Sequence, residues 1–240
     1  MIDLKNYKII LFDCDGVILN SNKIKSNSFY LTVLPFGKSY ADKFLKYHYD
    51  VDTTTRYEKF QYFRSVIGQD ITDLPSTEQL ISTYAEIVSQ ELLKCESFDN
   101  FDILKSLYPK SSWYVVSGGD QDELRKIFLQ RKIDSYFENI FGSPDKKTEI
   151  ISREFLNESH RDKILLIGDS DADFKASLDC NIDFLFVRNW SNIIDTKTKE
   201  IFFSFMMLTS FFSLFLSYNI IKINKKNINF FHEDFYLLIY

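Results

Sequence analysis

Two groups of acidic residues stand directly after apolar runs that are typical of buried strands. They are Asp13 and Asp15 after Ile9–Phe12, and Asp169, Asp171 and Asp173 after Ile164–Ile167. The carboxyl ends of parallel strands meet at one edge of a sheet, so the two groups are expected to converge there. Carboxylates packed so closely cannot all stay ionised without a cation, and ligation by oxygen alone favours Mg²⁺. The spacing therefore predicts a metal site.

A hydroxyl and a cation are placed in the same way. Ser117 follows the apolar run Tyr114–Val116 and precedes Gly118, while Lys146 and Lys147 open a helical pattern. A divalent ion, a lysine and a hydroxyl beside backbone N–H groups together match a phosphate dianion. The whole set is expected to perform phosphoryl transfer.

The elements that must position these residues alternate between strand and helix. A further apolar run, Phe184–Val187, completes four strand-like segments, and helical patterns at Glu123–Gln130 and Thr148–Phe155 lie between them. Continuous apolar strands separated by helices predict an α/β fold with a doubly wound, Rossmann-like parallel sheet.

The stretch 18–98 has a different pattern. Apolar residues recur at helical spacing from Leu80 to Leu92, and Ser76 with Gln79 forms a capping-box pattern just before them. This pattern predicts a helical insert between the first and second core strands.

The ordered motifs DxDGV, VVSGG, GSPxxK and GDSxxD resemble those of the haloacid dehalogenase superfamily of phosphatases and phosphomutases. Each motif is weak alone, but their order and positions are specific. They span residues 12–174, and the insert is similar to the helical cap of the phosphoglycolate phosphatase and β-phosphoglucomutase branch. The resemblance implies an α/β core at 1–17 and 99–194 and a cap at 18–98, with residues 195–240 outside it.

The resemblance also implies catalytic roles. Asp13 would be the nucleophile that forms an aspartyl-phosphate, and Asp15 would be the general acid and base. Ser117 and the Gly118 N–H would bind phosphate oxygens. Lys147 would offset charge on the nucleophile and the phosphoryl group.

The same resemblance implies the metal ligands and the substrate contacts. Mg²⁺ would be held by Asp13, Asp169 and the backbone carbonyl of Asp15, with Asp173 as the second acidic position. Arg56, in the segment TTTRYEKF of the cap, is expected to contact the substrate.

One choice within the site stays open. Lys147 is preferred to Lys146 as the catalytic lysine because of the spacing GSPxxK, and Lys146 is the alternative. The lysine that is not used for catalysis is expected to be a solvated surface charge.

The function expected from these motifs is a magnesium-dependent phosphatase acting on a small phosphorylated metabolite, such as a sugar phosphate or phosphoglycolate. The alternative enzyme is a β-phosphoglucomutase-like sugar phosphomutase. A receiver domain is disfavoured because it carries no helical insert of this size. A membrane-tethered or binding-only relative is the non-enzyme alternative.

Composition sets further limits on the partners and the compartment. The net charge of the 240 residues is −5, which argues against binding nucleic acid through a broad basic face. Cys14, Cys95 and Cys180 are sparse and widely separated, as is usual in a reducing cytosol. The N-terminal segment lacks the pattern of a secretory signal. A cytoplasmic protein is expected.

The segment 201–221 carries no charged residue over 21 positions. Its length permits a membrane span, although several serines and an asparagine dilute it. Three interpretations stay open: an apolar element packed on the domain, a C-terminal membrane anchor, or a non-native extension from a shifted reading frame. Membrane contact is expected only through this segment.

Overall fold

A six-stranded sheet forms the centre of the protein, for which the structure is a computed structural model describing residues 4, 7–51, 54–156, 163–187, 190–191 and 235–238. The strands are β1 (Ile9–Phe12), β2 (Ser112–Asp120), β3 (Asn139–Ser143), β4 (Ile164–Gly168), β5 (Asp183–Val187) and β6 (Phe235–Leu238). Their order is β3-β2-β1-β4-β5-β6, and only the edge strand β6 pairs antiparallel. The predicted doubly wound parallel sheet is confirmed.

Helices cover both faces of this sheet, which explains the continuous apolar runs in β1, β4 and β5. The core helices are α5 (Phe101–Leu107), α6 (Gln121–Arg131), α7 (Lys147–Glu154) and α8 (Asp171–Cys180). One apolar cluster joins Phe12 and Trp113 of the sheet to Phe128 of α6. A second joins Leu11 and Leu166 to apolar residues of α7 and α8 on the other face.

Four α-helices of the described residues lie between β1 and α5 along the chain. They are α1 (Asn22–Val33), α2 (Lys38–Asp50), α3 (Arg56–Tyr62) and α4 (Thr77–Leu92). We call these four helices the cap helices. Helix α4 begins with the predicted capping box, in which Ser76 and Gln79 exchange hydrogen bonds between side chain and backbone.

The cap helices are held together by aromatic side chains. Phe44, Phe60 and Phe63 are fully buried, and Phe29 stacks on Tyr84 with ring centroids 4.4 Å apart. Offset aromatic contacts of this kind stabilise a packed core beyond the area that they bury.

The sheet has its topological switch point between β1 and β4, because the chain turns to opposite sides from these two strands. In open α/β sheets the crevice at such a point is where ligands bind. Asp13 directly follows β1 and Asp169 directly follows β4. The Asp13 backbone N–H donates to Ile167 O at 2.8 Å, which fixes the two strand ends side by side.

Gly16 makes the turn after β1 possible. Its φ is +75°, a left-handed conformation that favours glycine. A Cβ at this position would also overlap the carboxylate of Asp169. The glycine of the DxDGV motif therefore allows the two acidic strand ends to approach each other.

The C-terminal segment 201–221 lies outside the described residues, so the three interpretations of it stay open. None of the described helices combines the length and the apolar composition that a membrane span requires.

Candidate active site

Asp13 and Lys147 form an ion pair at the switch point. The Lys147 Nζ lies 2.7 Å from Asp13 Oδ1, and both side chains are largely buried. Burial and the neighbouring Asp173 raise the pKa of Asp13, although Lys147 opposes this effect. Burial alone would lower the pKa of Lys147, but Asp13 and Asp173 raise it, so the lysine stays charged. The neighbouring Lys146 is exposed.

Three carboxylates converge beside this pair. Asp13, Asp169 and Asp173 each offer an oxygen within 4.8 Å of the others, and all three residues are buried. Burial, then the charges of Asp13 and Asp173, raises the pKa of Asp169. Three buried anions with one lysine leave an excess of negative charge, which a hard divalent cation would neutralise. The donor set therefore fits Mg²⁺.

Asp169 is held by a residue of the cap helices. The Asn22 side chain donates to Asp169 Oδ2 at 2.7 Å and to the backbone carbonyl of Trp190 at 2.9 Å. The hydrogen bond from Asn22 lowers the pKa of Asp169, in opposition to burial. Helix α1 therefore helps to orient the carboxylate that follows β4.

Asp173 is held by the start of its own helix and by Lys147. Its Oδ2 accepts from the Ser170 hydroxyl and from the backbone N–H groups of Asp169 and Ser170. Its Oδ1 accepts from Lys147. This carboxylate shares Lys147 with Asp13 and thereby positions the ammonium group.

The carboxylate of Asp15 turns away from the three converging acids. It forms an ion pair with Lys25 and accepts from the Ser21 hydroxyl at 2.6 Å. Burial alone would raise the pKa of Asp15, but Lys25 and Ser21 hold it below its usual value. These contacts favour the ionised form of Asp15, and the cation that pairs with it comes from a cap helix.

Ser117 is fully buried near the end of β2, and its Oγ accepts from the Gly119 N–H at 3.1 Å. Gly118 is exposed and lines the cleft, and a Cβ at this position would meet no atom within 4 Å. Because β2 pairs with β1, the segment from Ser117 to Gly119 lies next to the strand end that carries Asp13.

A cleft of about 580 Å³ separates the cap helices from these residues. Its core side includes Asp13, Lys147 and Asp169, and its cap side includes Lys25 and Arg56. Volumes of this order hold small molecules, and walls on two sides shield the interior from water.

Arg56 lines the cleft, but its guanidinium is engaged with acids of the core. It lies 3.2 Å from Asp120 Oδ2 and 3.1 Å from Glu123 Oε2, at the beginning of α6. It also lies 5.9 Å from the ring centroid of Tyr84. Contact between Arg56 and a substrate stays a prediction.

Replacing Arg56 by alanine tests that prediction. If the guanidinium contacts the substrate, Arg56→Ala should lower kcat/KM for phosphorylated metabolites with polar leaving groups more than for phenyl phosphate. The leaving group of phenyl phosphate carries only an apolar ring beyond the ester oxygen. Glu123→Gln is the matched control, because it weakens the same ion pair without removing Arg56. Equal losses on all substrates for both variants would show that Arg56 acts only through the ion pair.

His48 is partly buried among the cap helices. It contacts Ser26 Oγ at 3.0 Å and Lys59 Nζ at 2.8 Å. These contacts place the ring between helices α1 and α3. Burial, and then the charge of Lys59, lowers the pKa of His48 to about 4.

This lowered pKa predicts a pH-dependent stability. Between pH 6.5 and about 4 the unfolded chain binds a proton on His48 that the folded chain does not. The contribution of the neutral His48 ring to the free energy of unfolding is therefore present above pH 6.5, and it is lost as the pH falls through this window. The loss is about 2 kcal/mol, less than the full shift implies because the ring is partly exposed.

Denaturant unfolding of the wild type and of His48→Gln at a series of pH values measures this loss. The variant, which cannot titrate, should keep more of its free energy of unfolding at acid pH. Identical pH dependence of the two proteins would contradict the assignment.

The residues that converge at the switch point belong to the sequence motifs that a family comparison also matches. The model of the haloacid dehalogenase-like hydrolase family matches residues 10–187, which include all four motifs. The chain belongs to this family and is a hydrolase. No curated protein matches it in sequence.

Several solved structures share the fold. YfnB, a candidate HAD-hydrolase from Bacillus subtilis bound to magnesium, is 19% identical with a TM-score of 0.57, over 82% of this chain and 98% of that one. A candidate phosphatase from Clostridium difficile is 21% identical with a TM-score of 0.54, over 75% and 84%. A predicted phosphoglycolate phosphatase from Haemophilus somnus is 16% identical with a TM-score of 0.57, over 75% and 84%.

Proposed function

We propose that this hydrolase is a magnesium-dependent phosphatase of small phosphorylated metabolites that acts through an aspartyl-phosphate at Asp13. The observation that carries the proposal is the buried ion pair of Asp13 with Lys147 beside Asp169 and Asp173. A buried carboxylate that faces a cleft and is held by a cation is suited to attack an electrophilic phosphorus.

In the proposed first step, a carboxylate oxygen of Asp13 forms a bond to phosphorus while the bond from phosphorus to the leaving alcohol oxygen breaks. Asp15, which must enter this step protonated, gives its proton to that oxygen and becomes a carboxylate. In the second step Asp15 takes a proton from water, whose oxygen attacks the same phosphorus and releases inorganic phosphate and Asp13. Lys25 favours the ionised form of Asp15, which the second step requires.

We assign the metal ligands to Asp13, Asp169 and the backbone carbonyl of Asp15. When bound, Mg²⁺ would offset the negative charge of the phosphoryl group and of its carboxylate neighbours. Asp173 has its oxygens occupied by Lys147, Ser170 and backbone N–H groups, so we assign it to positioning Lys147. Ser117 and the Gly118 N–H are assigned to the phosphate oxygens.

The proposed substrate is small because the cleft is bounded by the cap helices. The cleft holds about 580 Å³, and cap side chains such as Tyr84 form its outer wall. The similar structures that carry phosphatase names support the same substrate class.

A phosphate-release screen tests the proposal. The purified full-length protein is incubated with several tens of phosphomonoesters, in Mg²⁺ and in EDTA. Release of phosphate from at least one monoester, abolished by EDTA, is expected. A phosphomutase would release little phosphate and would need a bisphosphate primer. Absence of phosphate release from every monoester in Mg²⁺ would contradict the proposal.

We also propose a cytoplasmic location, on the basis of the sparse cysteines. Fractionation of cells that express the full chain, and a variant ending at Asp195, tests both this location and any membrane contact through 201–221. Recovery of the full chain with membranes and of the shortened chain in the supernatant would show an anchor.

A further inference from the structure

The carboxylate of Asp169 is held by a side chain at the start of the first cap helix. Asn22 is the first residue of α1, and its Nδ2 donates to Asp169 Oδ2 at 2.7 Å and to the backbone carbonyl of Trp190 at 2.9 Å. An amide nitrogen carries two N–H donors, so these two contacts use both of them. The Asn22 side chain is therefore fixed at two points while it orients the carboxylate.

The backbone of Asp169 is held by the segment that follows β5. The Ser191 hydroxyl donates to the carbonyl oxygen of Asp169 at 2.5 Å, and the N–H of Asp169 lies 3.3 Å from Asp173 Oδ2. Trp190 and Ser191 lie beyond residues 10–187, which the family model matches, and they belong to none of the four motifs. The contacts of Asp169 with this segment are therefore a feature of this chain that the motifs do not indicate.

Gly16 leaves the space that the contact between Asn22 and Asp169 needs. A Cβ at position 16 would overlap both the Asn22 amide nitrogen and the Asp169 carboxylate. Any larger residue there would push the donor and the acceptor apart. The glycine of the DxDGV motif thus serves this hydrogen bond as well as the turn after β1.

These contacts orient Asp169 without neutralising its charge. An amide and a hydroxyl are uncharged donors, whereas Lys147 brings a positive charge to Asp13 and Asp173. Asp169 is buried beside these two carboxylates, and their repulsion favours rotation of its carboxylate away from them when no cation is bound. A donor that holds the carboxylate against this repulsion leaves less ordering to be done when the ion binds.

We propose that Asn22 and Ser191 are positioning residues that set the affinity of the site for Mg²⁺. Asn22 fixes the direction of the Asp169 carboxylate, and Ser191 fixes the backbone that carries it. This inference rests on the proposed function, because it concerns a metal ligand assigned there. It makes the metal site depend on one residue of a cap helix and on one residue after the last parallel strand.

Calorimetric titration of the full chain with Mg²⁺ tests the inference without any substrate. Asn22→Leu keeps a side chain of similar size and removes both donors, so the Kd for Mg²⁺ should rise by about 10- to 100-fold. Ser191→Ala removes the hydroxyl that donates to the Asp169 carbonyl, and a rise of about 3- to 10-fold is expected. A wild-type Kd in either variant would overturn the role of that residue.

Two matched controls carry the same substitutions elsewhere in the chain. Asn27→Leu changes an exposed asparagine of the same helix. Ser106→Ala removes an exposed hydroxyl of α5 that also donates to a backbone carbonyl, that of Ile103 at 2.7 Å. Both controls should bind Mg²⁺ with the wild-type Kd, and an equal loss of affinity in the controls would contradict the inference.

The turnover of Asn22→Leu separates positioning from damage to the fold. In the phosphate-release assay its activation should require about 10- to 100-fold more Mg²⁺, and saturating Mg²⁺ should restore most of the wild-type kcat. A merely structural role would lower the unfolding temperature of the metal-free protein and leave the Kd for Mg²⁺ unchanged. That result would overturn the inference.

The outcomes also separate this inference from the proposed function. If the wild type hydrolyses monoesters with Mg²⁺ but both variants keep the wild-type Kd, only the inference is overturned. If both variants lose affinity for Mg²⁺ but the wild type hydrolyses no monoester, the proposed phosphatase activity is overturned and the inference stands. A wild type that does not bind Mg²⁺ overturns both. Ser191→Ala alone decides the matter if Asn22→Leu does not fold.

Discussion

Replacing Asp13 by asparagine should reduce Mg²⁺-dependent phosphate release by about 10³-fold or more. The amide has nearly the shape of the carboxylate but is a poor nucleophile toward phosphorus. It also removes the charge that pairs with Lys147 at 2.7 Å. Lys147 keeps its contact with Asp173, so the variant should fold.

Steady-state phosphate release with the best substrate of the screen measures this loss, and circular dichroism checks the fold of the variant. Asn20→Ala is a suitable control, since Asn20 bonds Glu96 through its side chain outside the catalytic cluster. Retention of more than about 1% of wild-type turnover by Asp13→Asn would mean that Asp13 does not form the covalent intermediate.

Asp169→Asn should show the second largest effect, a loss of about 100-fold or more in turnover together with a loss of magnesium response. The carboxylate lies in the buried group with Asp13 and Asp173. An amide still fits the position and can accept the hydrogen bond from Asn22. The substitution therefore removes a negative charge that would bind the metal, and it keeps the local packing.

Thermal unfolding with and without Mg²⁺ distinguishes this effect from simple damage. The wild type should gain stability as Mg²⁺ is added, because ligands that bind only the folded state stabilise it. Asp169→Asn should lose this gain. Without metal it should unfold at the wild-type temperature or above, because one of three crowded carboxylates is gone. An unchanged magnesium titration would remove Asp169 from the site.

The sequence predicted the parts of the fold that depend on local pattern. The run Ile9–Phe12 is wholly apolar and ends at an acid, and β1 has the same bounds. The helical periodicity that follows Ser76 also gave α4. The run Asn139–Ser143 was missed as a strand, because only Ile140 and Phe141 are apolar neighbours in it.

The candidate site, like the fold, has parts that could be predicted from the sequence and parts that could not. Asp13 and Asp169 could be placed together from sequence because each follows a parallel strand, and the switch point brings those strand ends together. The preference for Lys147 over Lys146 depended on motif spacing. In the structure Lys147 contacts Asp13 while Lys146 is exposed.

The contacts that the cap helices make with the core could not be predicted. Lys25 binds Asp15, and Asn22 binds Asp169 across 147 positions of the chain. In the sequence both residues resemble solvated positions of a polar helix, and no local spacing signals a partner. These contacts form because α1 packs over the edge of the sheet, and the local sequence does not indicate this packing. His48 and Lys59 were missed for the same reason.

Trapping the covalent intermediate tests the central claim most directly. The wild type is mixed with p-nitrophenyl phosphate and Mg²⁺, quenched rapidly in acid and reduced with borohydride, which converts an aspartyl-phosphate into homoserine. Peptide mass spectrometry should find homoserine at position 13, and none in Asp13→Asn or in EDTA. Turnover without modification at position 13, or modification at another aspartate, would contradict the account.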